Sequence, residues 1–290
     1  MDLVSVKDMV TNALKDGYAV GHFDIHNLEW TQAVLSAAEE ENSPVILGVT
    51  EAAVRYFGGF CVVVDLAKVL LKEMNITVPV GLHLDHGSSY ENCKRAVDAG
   101  FTSVMIDASH LPLKENIEIT KQVSDYAHKH GCSVEAEVGS IGGTEDGVVQ
   151  VANPVYAVPK DCEELVVQTG VDFLAPALGS VHGLYKGEPK LGFDEMKEIA
   201  TLTRIPLVLH GSSGLPPEQI KKAISLGTAK INVNADNHLA FTKAVRNELS
   251  KDPELYDASW YIALGREAVK NKIIVKMRLF GSSGRVRNNS

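Results

Sequence analysis

The segment Val80-Gly81-Leu82-His83-Leu84-Asp85-His86-Gly87 closes an apolar run with an acid flanked by imidazoles. Carboxylates and imidazoles are the side chains that bind divalent transition metals and move protons near neutral pH. Taken alone, the octapeptide fits equally well a strand end whose polar groups hydrogen-bond within a loop. The same residue types recur after other short apolar runs, at Asp24, Asp107, Glu137, His182, His210 and the pair Asn232 and Asn234. Three imidazoles among them, His86, His182 and His210, would hold a metal and leave it open to a substrate.

Residues so far apart need elements that bring them to one place. Residues 6–15 have the spacing of an amphipathic helix stopped by Asp16-Gly17, and 18–23 read as a strand ending at Asp24. Asn27 can cap a helix running to about residue 42, which Pro44 breaks. Further strands are expected at 45–49, 80–84, 103–106, 133–138, 173–178, 207–209 and 229–233, with helices at 61–74, 90–99, 113–130, 193–202 and 216–225. This alternation in 290 residues predicts an α/β fold, a closed (β/α)8 TIM barrel, with an N-terminal helix and extra helix after about Asn247. No Gly/Pro/Ser linker interrupts the chain, so 1–290 reads as one barrel domain. Barrel sites form at the C-terminal strand ends, which is where the reactive residues fall.

Two loops add to this. Gly211-Ser212-Ser213-Gly214 follows the seventh strand and Asn232-Val233-Asn234 closes the eighth. Loops after these strands commonly take phosphate in such barrels, because small residues let backbone amides approach its oxygens, although a Gly/Ser turn is often only a turn. The connection 139–160 is long and glycine-rich around Thr144-Glu145-Asp146, as expected of a lid. Glu145 on such a lid could deliver a proton on closure, or be an ordinary solvated acid.

Composition narrows the partners. A net charge of −9 with no basic block argues against nucleic acid. Cys61, Cys93, Cys132 and Cys162 form no Cys-x-x-Cys pair and read as reduced thiols of a cytoplasmic protein. The N-terminus lacks a basic-plus-apolar leader, and the most apolar run, 61–71, is interrupted by Asp65 and Lys68. Neither a signal peptide nor a membrane span is therefore expected.

Several motifs together carry a family resemblance. They are His83-Leu84-Asp85-His86-Gly87, Glu135-Ala136-Glu137-Val138-Gly139 with Gly142-Gly143-x-Glu145-Asp146, Gly179-Ser180-Val181-His182-Gly183, His210-Gly211-x-Ser213-Gly214 and Asn232-Val233-Asn234. In this order they resemble the class II, zinc-dependent fructose-bisphosphate aldolases over nearly the whole chain. The resemblance implies reversible cleavage of fructose 1,6-bisphosphate to dihydroxyacetone phosphate and glyceraldehyde 3-phosphate through a zinc-stabilised enediolate. Related members act on tagatose 1,6-bisphosphate or 6-phospho-5-dehydro-2-deoxygluconate. It implies Zn2+ on His86, His182 and His210, with Asp107 and Glu137 near a second metal position. Asp85 becomes the acid/base at the C4 oxygen and Glu145 the acid exchanging a proton with the dihydroxyacetone phosphate carbon. Gly183, Gly211, Ser213, Asn232 and Asn234 match the dihydroxyacetone phosphate site, and carbonyls near Gly183 and Gly211 a monovalent cation, Na+ or K+. A homodimer or homotetramer is implied as well. The sixth strand contains no lysine, which argues against a Schiff-base route.

The chain departs from the family pattern in places. Asp24 and His26 stand where relatives usually have Asn, Ala235 where they have Thr, and Ala258-Ser259 where many have Pro-Arg. The resemblance makes that arginine a ligand of the distal phosphate, so the departures bear on the choice of phosphorylated ketose. A barrel metallohydrolase, or a sugar-phosphate-binding barrel without turnover, are the competing readings. His22, His26, His110, His128, His130 and His238 match no ligand motif and read as structural, while His83 reads as a support for a ligand.

Overall fold

The computed structural model describes residues 2–145, 148–149, 155–183, 185 and 187–286, and at 144–145 and 148–149 the description covers the backbone. The first half runs α1 (Val6–Asp16), β1 (Val20–Asp24), α2 (Leu28–Glu40), β2 (Val45–Thr50), α3 (Glu51–Phe57), α4 (Phe60–Glu73), β3 (Val80–Gly87), α5 (Tyr90–Ala99), β4 (Ser103–Ile106) and α6 (Leu113–Lys129). It continues through β5 (Ser133–Val138), β6 (Gly142–Glu145), β7 (Val148–Val149), α7 (Pro159–Thr169), β8 (Phe173–Pro176) and β9 (Val181–His182). The last elements are α8 (Phe193–Thr203), β10 (Leu207–Leu209), α9 (Pro217–Ser225), β11 (Thr228–Val233), α10 (Ala235–Lys251) and α11 (Ala258–Phe280).

Among the described residues eight parallel strands close a barrel in the order β1-β2-β3-β4-β5-β8-β10-β11, with β11 returning to β1. The (β/α)8 expectation holds. These strands are buried along their length because helices cover the outside and side chains fill the inside. Local signals set the helix ends. Asn27 and Ser89 accept the backbone N–H of Trp30 and Asn92, and Gly17 and Gly100 end α1 and α5 in the left-handed region.

The barrel is apolar at one end and polar at the other. At the N-terminal end Val6, Met9, Val10 and Ala13 of α1 pack with Val20, Ile46, Phe173 and Val208. Gly81 on β3 admits this helix, since a Cβ there would lie 2.4 Å from Val6 Cγ2. The plug leaves the C-terminal end as the place for polar side chains.

Three differences from the sequence reading stand out. The helices α3 and α7 lie outside the expected set, although α7 buries Cys162, Leu165, Val166 and Thr169 at helical spacing. The eighth helix, α10, begins at once after β11, so the appended element is α11, which packs on α10 and α2. The 139–160 connection is not simply a loop: β6 pairs antiparallel with β7 and parallel with β9. Among the described residues no helix is long and apolar enough to cross a membrane.

Candidate metal and catalytic site

Asp85 and His86 are adjacent on β3, and neighbours on a regular strand face opposite sides. The pairing of β3 with β4 shifts register between Leu84 and Gly87, and His86 has φ +48°, unusual for a residue with a side chain. Such a local irregularity re-aims a side chain, so His86 joins Asp85 at the C-terminal mouth. His86 Nε2 lies 3.9 Å from Asp85 Oδ2.

His182 reaches the same place from the short strand β9, which two glycines let in closely. A Cβ on Gly143 would stand 2.1 Å from the carbonyl oxygen of His182, and one on Gly211 2.3 Å from that of Val181. Both glycines have positive φ. His210 follows β10. Ring centroids are 5.1 Å apart for His86–His182, 4.8 Å for His86–His210 and 5.8 Å for His182–His210, all edge to face.

Each of the three imidazoles offers a ring nitrogen within 4.8 Å of the others. Partners behind two of them fix which nitrogen faces the centre. His86 donates from Nδ1 to Asp107 Oδ2 at 2.8 Å, which turns Nε2 inward. His210 donates from Nε2 to Glu135 Oε1 at 2.7 Å, which leaves Nδ1 as a lone-pair donor. Carboxylate–imidazole–metal relays have this form, and the donor set suits zinc. The residues therefore fit a divalent cation.

The carboxylates around them are unequal. Burial works against ionisation of Glu135, but Lys230 and the His210 hydrogen bond hold its carboxyl well below the usual range. Burial likewise opposes Asp107, yet His86 and the Ser109 hydroxyl and N–H pull it below. Glu137 goes the other way, raised well above the usual range by burial and then by Asp107. Glu137 forms a second possible metal group with His86 and Asp107. Burial lowers the proton affinity of His210, partly offset by Glu135 and Asp85.

The phosphate-site expectations are placed as follows. Asn232 directs Nδ2 at Asp85, 3.3 and 3.4 Å from its two oxygens, and accepts from Lys230 Nζ at 2.8 Å. Ser213 Oγ accepts the backbone N–H of Asp236 at the start of α10, beside Ala235. Asn234 precedes α10, and its Oδ1 lies 3.3 Å from His26 Nε2. Gly183 and Gly211 both have positive φ, and the Gly211 carbonyl accepts from Tyr185 Oη at 2.7 Å. Ser259 lies in the first turn of α11, where Asp257 caps it. The backbone of Glu145 belongs to β6, while its side chain, Asp146 and Gly147 lie outside the described residues.

Three residues read as structural or passed over, Lys230, His22 and His26, belong to this neighbourhood together with His83. Lys230 is fully buried and 2.9 Å from Glu135 Oε2. His22 Nε2 lies 2.9 Å from Asp24 Oδ1 and 3.8 Å from Asp85 Oδ2. His26 Nε2 is 3.0 Å from His238 Nε2, against Trp30, at the rim next to Asn234. His83, expected as a support, stands 3.7 Å from Asp85 and 3.6 Å from Glu135. His22, His83 and Asp85 are close enough together to share a cation. Burial first, and the nearby Lys230 charge next, lower the proton affinity of both imidazoles, and that charge repels a cation. His128 instead pairs with Asp172, and His130 stacks on Tyr126, away from the mouth. A lysine buried within a strand was the missed signal, since such a charge requires a buried partner.

A family model for class-II fructose-bisphosphate aldolase matches residues 4–285. The chain is 65% identical over 285 residues to a fructose-bisphosphate aldolase of Geobacillus stearothermophilus, covering 98% of this chain and 99% of that one. It is 58% identical over 287 residues to one of Staphylococcus epidermidis, covering 99% and 100%. Among solved structures, the YdjI aldolase of Escherichia coli K12 superposes with a TM-score of 0.85 at 36% identity, covering 98% of this chain and 100% of that one.

Proposed function

Since the chain belongs to the class-II fructose-bisphosphate aldolase family, we propose that it reversibly cleaves fructose 1,6-bisphosphate to dihydroxyacetone phosphate and glyceraldehyde 3-phosphate. The observation that carries the reading is the convergence of His86, His182 and His210 beside the Asp85 carboxylate. His86 Nε2, His210 Nδ1 and His182 would hold a divalent cation, Zn2+ by its donor set. Bound there, the cation supplies Lewis-acid stabilisation of the negative charge left when the C–C bond breaks.

The chain's own groups do the rest. Asp85 accepts the proton of the C4 hydroxyl, the C3–C4 bond breaks, and glyceraldehyde 3-phosphate departs with the new carbonyl. The bonding electrons remain on C3, and a proton from Glu145, assigned on the resemblance, completes dihydroxyacetone phosphate. Asn232 holds Asp85 in line through its amide, and Lys230 keeps Glu135 ionised behind His210. Ser213, Asn234 and the backbone at Gly183 and Gly211 receive the phosphate of the dihydroxyacetone half. Asp107 and Glu137 offer a second position for the cation. The chain works as a single barrel domain in a cytoplasmic homo-oligomer.

A coupled assay of triose phosphate release, run in parallel on fructose and tagatose 1,6-bisphosphates, tests this reading. Turnover of fructose 1,6-bisphosphate with the higher kcat/KM is expected. A preference for tagatose 1,6-bisphosphate would reassign the sugar, and no release from either would remove the aldolase reading.

A further inference from the structure

His22 is fully buried on β1, and its neighbours leave room for it in a specific way. On the adjoining β2, Gly48 pairs with Asp24, and a Cβ at Gly48 would lie only 1.7 Å from His22 Nε2. The imidazole thus fills the space that any other residue at 48 would occupy. From there Nε2 is 2.9 Å from Asp24 Oδ1 and 3.8 Å from Asp85 Oδ2. Burial, and next to it the Lys230 charge, keep the ring neutral. A neutral ring carries one N–H, and the short contact with the Asp24 carboxylate places it on Nε2.

His22, His83 at 3.7 Å and Asn232 at 3.3 and 3.4 Å line the Asp85 carboxylate, and the His86 ring itself is 3.9 Å off. His83 is held by Ser103 Oγ at 2.7 Å and Asn232 by Lys230. His22 is anchored at hydrogen-bond distance by an acid on its own strand, whereas His83 stands 3.6 Å from its second acid, Glu135.

We propose that His22, anchored by Asp24 in the space left by Gly48, is a positioning residue: its ring packs against the Asp85 carboxylate and, together with the Asn232 amide, limits the orientation from which Asp85 exchanges a proton with the C4 hydroxyl. The assignment rests on the proposed aldolase function. His22 acts through Asp85, so its loss should affect the step that uses Asp85 and spare the one that does not. Exchange of the dihydroxyacetone phosphate carbon-bound proton with solvent needs the cation and the carbon acid, but no C4 oxygen.

The test compares His22→Ala, His22→Gln and Gly48→Ala in the metal-loaded protein, measuring cleavage, proton exchange and bound metal. Gly48 has no positive φ, so an alanine suits its backbone, and the atoms that the added Cβ meets first are those of the His22 imidazole. His22→Ala and Gly48→Ala are expected to lower kcat for cleavage about tenfold to a hundredfold, the scale of a small misalignment of a catalytic group. Exchange should stay within about twofold of wild type, with KM and metal content unchanged, the pattern for an interaction made in the transition state. His22→Gln, which keeps an N–H for Asp24, should recover most of the loss. In an Asp85→Ala background His22→Ala should have no further effect on cleavage, because the two act as one unit. Equal losses of cleavage and exchange, or wild-type cleavage in Gly48→Ala, would overturn the assignment. A wild-type protein that neither cleaves nor exchanges would instead overturn the aldolase reading, and this assignment with it.

Discussion

The strand-borne half of the site and its loop-borne half are held by different forces. His83, Asp85, Glu135, Lys230 and Asn232 stand on strands paired on both sides, and ion pairs and hydrogen bonds inside the barrel fix them. His182, Ser213 and Asn234 stand on connections, where close backbone approach at Gly143 and Gly211 sets the geometry. The strand half is a buried network of charges and hydrogen bonds centred on Lys230, Glu135 and Asn232. The loop half is a fit between chain segments. Disturbing the first should cost chemistry or stability outright, and disturbing the second should cost alignment.

The largest expected effect is in the strand half. Asp85→Ala should lower cleavage by about a thousandfold, within the range for a lost general acid or base. Proton exchange into dihydroxyacetone phosphate should persist at a measurable rate, read by isotope incorporation. Near-normal cleavage by this variant would separate Asp85 from the chemistry.

Lys230→Met tests whether the network also holds the fold together. Removing one partner leaves Glu135 buried without its cation, a loss of roughly 3–5 kcal/mol when a buried pair is broken. Denaturant unfolding of the metal-free protein should show it. A midpoint unchanged from wild type would mean that the barrel interior does not depend on the pair.

Gly211→Ala probes the loop half. The added Cβ would press on the Val181 carbonyl at a left-handed backbone position, so the His182 segment has to move. Cleavage should fall about a hundredfold, as for an ångström-scale misplacement, while stability drops by only about 1–2 kcal/mol. A stability loss as large as that of Lys230→Met would erase the contrast between the halves.

The smallest effect concerns Glu137, whose carboxyl is raised by burial and by Asp107. The folded metal-free protein then holds a proton that the unfolded chain releases near pH 4.3. Its stability therefore falls as pH rises above that value, until the raised folded value is passed. Glu137→Gln removes the titration, so it should stabilise the metal-free protein at pH 7 and change little at pH 4. Thermal melts at the two pH values check the sign.

Much of this was legible in the sequence, for a physical reason. In a parallel barrel the chemistry collects where apolar strands end, so Asp85, His86, Asp107, His182 and His210 announce themselves by position. What stayed hidden depends on closure of the barrel. His22 reads as a lone histidine until β1 is laid beside β2 and Gly48 is found to make room for it. Lys230 reads as a stray charge in an apolar strand until Glu135, far away in the chain, lies beside it. The strands β6 and β7 were read as loop because a glycine-rich stretch shows no alternation of apolar and polar residues. Asp85 and His86 could be picked out together, but not how both face inward, since that rests on a register shift between β3 and β4.

The claim on which both halves depend is that His86, His182 and His210 hold one divalent cation that the reaction requires. Metal analysis of the purified protein, joined to cleavage assays before and after chelation, tests it most directly. About one ion per chain is expected, with cleavage abolished by the chelator, restored by Zn2+, and no covalent adduct trapped by borohydride in the presence of substrate. Turnover that survives complete removal of the metal, or a borohydride adduct on Lys230, would contradict it.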